Sequence, residues 1–98
     1  MSKAMAHRRL DHVAVAVFDL EAGEEVDVVF SEGGDPLRLR IQEDIPLGHK
    51  VALKDIQEGE VVVEYGEAIG RATAFIPAGG YVHVHNLKSL RWDFGGRR

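Results

Sequence analysis

Two imidazoles separated by one valine, in the run Val82-His83-Val84-His85-Asn86, are the strongest chemical signal in this chain. If the run is a strand, its two-residue period places His83 and His85 on one face, about 7 Å apart at Cα. That is within reach of one metal ion or one anionic ligand. Asn86 follows as a turn residue or a further polar contact. A half-buried strand leaves the same pattern on its solvent face, and a first-row metal usually takes three or more protein ligands. His49 is the residue that can complete the set in space. It belongs to Gly48-His49-Lys50, where a turn carrying an imidazole and an ammonium suits a carboxylate or sulfonate. By residue type, His83 and His85 are metal candidates, and His49, Lys50 and Asn86 are substrate-binding candidates; no residue is assigned a catalytic role.

Other chemistries find less support. The chain has no cysteine, which excludes disulfides, thiolate metal sites and a Cys nucleophile. Its serines, Ser2, Ser31 and Ser89, lie on no strand-to-helix elbow. The stretch Tyr65 to Thr73 has glycines at 66 and 70 but no Gly-Lys-Ser ending, so it is not a phosphate loop; its glycines suit a strand crossing or a bulge. With 12 basic and 16 acidic residues the formal charge is −4, which argues against capture of nucleic acid. The apolar run Val13 to Phe18 is too short for a membrane span or a signal-peptide core, so neither a membrane nor export is expected and the cytoplasm is the default.

The elements that must position these residues follow from a phrase written four times: acidic residue, Leu or Ile, two variable residues, Gly, two more, Val. The copies begin at Asp19, Asp44, Asp55 and Phe75, the last with Phe in the acidic place. Each reads as a strand end, a tight turn at Gly and a new strand, with Asp accepting backbone N–H groups and Gly supplying positive φ. Period-two runs surround them, at Val13, Val15 and Val17, at Val26, Val28 and Phe30, at Leu37, Leu39 and Ile41, at Val61 and Val63, and at Val82 and Val84. Ser31 to Pro36 is a hairpin loop, and only one short strand, Lys50 to Leu53, fits between the second and third turns. The reading is all-β, with short crossing strands and little or no helix. At 98 residues it makes a single domain over 11–92, with mobile tails at 1–10 and 93–98. Exposed strand edges on so small a domain make a homo-oligomer a reasonable expectation.

The ordered blocks Asp44 to Ile56, Glu58-Gly59-Glu60, Tyr65 to Ala72 and Val82 to Leu87 resemble the SAF domain of the altronate dehydratase family, whose relatives include galactarate dehydratase and sulfolactate sulfo-lyase. The likeness covers about residues 41–92, more loosely 12–40. It implies a β-clip, in which a long hairpin folds on itself. It also implies a role, either as the N-terminal part of a long dehydratase or as a small subunit beside a separate large dehydratase subunit, the latter expected here, in a lyase that removes water from a sugar acid such as altronate, or sulfite from sulfolactate. A divalent metal, commonly Fe(2+), is implied as cofactor, with most of its ligands on the large subunit. The competing expectation is a non-catalytic β-clip module that binds carbohydrate or sugar acid or serves assembly, since fold alone does not fix function.

Overall fold

The computed structural model describes residues 2–89. Nine strands follow one another: β1 (Ser2–Ala6), β2 (Val13–Ala16), β3 (Glu25–Phe30), β4 (Leu37–Arg40), β5 (Lys50–Ala52), β6 (Val61–Glu64), β7 (Glu67–Ala72), β8 (Tyr81–Val82) and β9 (Leu87–Ser89). They form a six-stranded sheet in the order β4-β3-β1-β2-β5-β8 and a three-stranded sheet in the order β6-β7-β9. No helix occurs among the described residues, and so none that is long and apolar enough to cross a membrane. The all-β reading and the β-clip character of short, folded-back strands both hold.

The four phrases meet in two pairs. Leu20 bridges Ile45, and Ile56 bridges Ile76, each through two backbone hydrogen bonds, and all four side chains are buried. The acidic residue of one turn accepts an N–H from the facing turn rather than its own. Asp19 Oδ1 takes Leu47 N–H at 2.8 Å, Asp44 Oδ1 takes Ala22 N–H at 2.9 Å, and Asp55 Oδ1 takes Ala78 N–H at 2.9 Å. Gly23, Gly48, Gly59 and Gly79 all have positive φ, between 85° and 93°, as the turn requires.

Within each pair the two turns differ in one detail. The third residue of the first and third copies is Glu21 or Gln57, and its N–H is taken by the carboxylate of Glu24 or Glu60 three residues on. The second and fourth copies have Pro46 and Pro77 there, with no N–H to satisfy. Their sixth residues are His49 and Gly80.

Two cores share the ribbon formed by β2 and β5. Ala14, Ala16 and Val51 face the larger core with Val26, Val28, Phe30 and Ile45, whereas Val13 and Ala52 face the smaller one with Ile56, Val62 and Ile76. The valine parity expected for β2 therefore holds only at Val13, since Val15 is half-buried and Val17 exposed. In β6 the buried residue is Val62, with Val61 and Val63 half-buried. Beyond Val82 the strand ends, and Val84 is 82% exposed.

The expected mobile tail at 1–10 is corrected at its first half. Ser2–Ala6 is an inner strand, antiparallel to β2 and parallel to β3, with Ala4 fully buried. Its side chains on the core face are alanines, which carry little apolar signal but fit the close approach of three strands. The expected tail at 93–98, with residues 90–92 before it, lies outside the described residues.

Candidate functional site

The second and fourth phrases deliver their outgoing strands side by side. Lys50 pairs with Val82 and Val51 with Tyr81 in the β5–β8 ladder, so the Gly48-His49-Lys50 turn and the segment after Val82 share one edge. Between them and β9 lies an open cleft of about 440 Å³ lined by Gly48, His49, Lys50, His83 and Val84, among others.

The structure brings His49, Lys50 and His83 together, with the His49 and His83 ring centroids 5.0 Å apart. Lys50 Nζ is 3.8 Å from Glu64 Oε1, a contact from β5 across to β6. The strand expected over Val82 to Asn86 is instead a turn after β8: Asn86 N–H donates to His83 O at 3.0 Å, and Asn86 Oδ1 accepts His83 N–H at 3.0 Å. His83 and His85 therefore do not share a strand face. Each packs on Tyr81, at 5.5 Å and 5.6 Å between ring centroids. Asn86 is buried, and its Nδ2 donates to Tyr81 O at 2.8 Å, so both ends of its amide close the turn.

Among the described residues no group of three or more His, Cys, Asp or Glu is gathered as a metal site. His49 and His83 offer two imidazoles where a first-row ion usually takes three or more protein ligands. These residues do not fit a complete metal centre.

Two residues escape the reading of the sequence. Tyr81, whose hydroxyl lies 2.6 Å from His49 Nδ1, carries no motif; only the pairing of copies two and four reveals it. The other is His12, whose Nδ1 accepts Val63 N–H at 3.0 Å and whose Nε2 lies 3.0 Å from Glu60 Oε2. It joins β2 to β6 and stands apart from the cleft.

Arg8, Tyr65 and Gly66 donate their N–H groups to Asp11, at 3.0–3.2 Å. Burial works to raise the Asp11 pKa, but these donors, Gly66 first, outweigh it and hold the carboxyl below its ordinary value of 3.8. Tyr65 and Gly66 both have positive φ, at 56° and 76°, in the two-residue turn between β6 and β7. Asp11 therefore serves architecture.

Known proteins match this sequence over most of its length. A family model described as the altronate/galactarate dehydratase SAF domain matches residues 2–90. The (2R)-sulfolactate sulfo-lyase subunit alpha of Chromohalobacter salexigens is 37% identical over 89 residues, covering 90% of this chain and 95% of that one. The protein of the same name from Paracoccus pantotrophus is 48% identical over 65 residues, 66% of this chain and 96% of its own. The altronate dehydratase of Escherichia coli K12 is 45% identical over 80 residues, which are 82% of this chain but 15% of that much longer protein. With a match across nearly all of its length and the turn-paired all-β fold to go with it, this chain belongs to the altronate/galactarate dehydratase SAF domain family.

Proposed function

We propose that this chain is the small subunit of a lyase acting on a sugar acid or a related hydroxy acid, and that its cleft forms one wall of an active site completed by a large subunit. The observation that carries the reading is the convergence of His49, Lys50 and His83 on one open cleft. A carboxylate or sulfonate seated there meets an ammonium and two imidazoles, a donor-rich wall for an anion. The relatives named subunit alpha, matched over 95% and 96% of their own lengths, support the subunit role, and their name implies a partner. The altronate dehydratase, of which the matching part is 15%, supports the same division of labour within one longer chain.

A divalent metal belongs to this proposal only as a group held mostly by the large subunit, because the cleft lacks a full ligand set. What this chain's residues do is bind and orient the acid group and help to shut out water once the partner covers the opening. The setting proposed is the cytoplasm.

Co-expression with a large dehydratase-like subunit is expected to give a complex that turns over sulfolactate, altronate or galactarate. His49→Ala or His83→Ala should then lower kcat/KM by about 10- to 100-fold, the loss of one charge-assisted hydrogen bond. Unchanged turnover in the double variant would overturn the proposal. So would saturable binding of these acids by the isolated chain with no lyase activity in any complex, the behaviour of a plain binding module.

A further inference from the structure

His49 is held by one of its two ring nitrogens. The Tyr81 hydroxyl lies 2.6 Å from Nδ1, which leaves Nε2 for the cleft. Tyr81 is itself fixed. Its N–H donates to Glu43 Oε2 at 3.0 Å, its carbonyl accepts Asn86 Nδ2 at 2.8 Å, and its ring lies within 15° of parallel to that of His83.

The direction of the Tyr81–His49 bond decides what His49 can do. A phenol, with an ordinary pKa of about 10, is a good donor, and the bare nitrogen of a neutral imidazole is a good acceptor. The neutral pair therefore settles with the Tyr81 O–H donating to Nδ1, and the imidazole proton resides on Nε2. If His49 takes up a second proton, the hydroxyl turns and its oxygen accepts from Nδ1–H, and Nε2 keeps its proton as before. The charged or titratable groups beside the pair are Lys50, next to His49 in the chain and with Glu64 3.8 Å from it, His83, which packs on both rings, His85, which packs on Tyr81, and Glu43, which accepts the Tyr81 N–H.

We propose that Tyr81 is a positioning residue that fixes His49 as the Nε2–H tautomer, so that Nε2 meets an anionic ligand as a hydrogen-bond donor and does not accept a proton from the cleft. The inference rests on the reading of the cleft as an anion site and deepens it: the proton abstracted in an elimination goes to another group. It also explains why His49, rather than Lys50 alone, faces the cleft, since a directed N–H selects the orientation of a planar carboxylate where a point charge does not.

The test is long-range proton–nitrogen correlation NMR on the whole chain with ¹⁵N-labelled histidine, at a pH where the imidazoles are neutral. In the wild type, His49 Nδ1 should show the shift of an unprotonated, hydrogen-bonded nitrogen and Nε2 that of a protonated one. Tyr81→Phe keeps the ring that packs on His83 and His85 but removes the hydroxyl. It should convert His49 to a mixture of tautomers, while His12, held by Val63 and Glu60, stays unchanged as an internal reference. A wild-type His49 protonated on Nδ1 would overturn the inference, and so would an identical tautomer in Tyr81→Phe. Should that variant fail to fold, the wild-type spectrum alone decides. No partner subunit or turnover enters the measurement, so its failure and a failure of the proposed function are separate results.

Discussion

Asp11 has no exposed surface and yet lies among donors that favour its charge. Its carboxylate ties the chain before β2 to the tip of the β6–β7 hairpin, through the N–H groups of Arg8, Tyr65 and Gly66. Asp11→Ala leaves those donors without a partner and should cost about 2–4 kcal/mol in urea unfolding. A loss within 0.5 kcal/mol or so of zero would mean that water replaces the carboxylate freely. Nothing in the sequence marks this residue, because its three partners lie three and more than fifty positions away and the sequence shows only an Asp before a strand. The cleft residues were more legible. Gly48-His49-Lys50 stands out by type, and His83 by its place in a His-Val-His run, although the strand that the run implies ends at Val82. The short 83–86 turn overrides the alternation because Asn86 satisfies the His83 N–H and the Tyr81 carbonyl from its own side chain.

At the scale of elements, the turn phrase was readable as a repeat, but the partner of each Asp was not. A single sequence suggests a local cap, whereas the carboxylates reach across to the facing turn. The fourth copy breaks this reciprocity. Phe75 stands where an Asp would meet the N–H of Glu58, and it is 52% exposed. Phe75→Asp should therefore complete the second pair and stabilise the chain by about 0.5–1 kcal/mol, raising Tm by about 2–6 °C. A fall in Tm would show that the Phe75 ring contributes more than the missing hydrogen bond. The strand β1 was illegible for another reason: Ala4 and Ala6 fit the crowded space between β2 and β3, and small residues give no hydrophobic period to read.

For the molecule as a whole, three carboxylates among the described residues are held below their ordinary pKa. Asp11 is one. Glu24 is stabilised first by the Glu21 N–H and then by Lys3, and Glu60 first by the Gln57 N–H and then by His12. A depressed folded pKa adds stability that is fully present above the unfolded value and is lost as pH falls through the folded one. The chain should therefore lose stability as pH drops from about 5 through 4.5 and 3.8, the ordinary values for these groups, and continue to lose it below. Glu24→Gln with Glu60→Gln should flatten that acid limb in a urea series across pH, and an unchanged slope would assign it to other groups. The all-β class was legible from the outset, whereas the double-sided ribbon of β2 and β5 was not, because valine and alanine on opposite faces look alike whether each face meets a core or water. The prolines at 46 and 77 have a consequence for how such a scaffold takes on new roles. A corner whose third residue carries an amide proton commits its sixth residue to a carboxylate, and two of the four corners are bound in this way. Proline lifts that obligation at the other two. One of them is closed, since a Cβ on Gly80 would come within 2.9 Å of the Pro77 carbonyl oxygen. Of the four sixth positions, that leaves one where a side chain can change without disturbing its corner, and the imidazole of His49 occupies it.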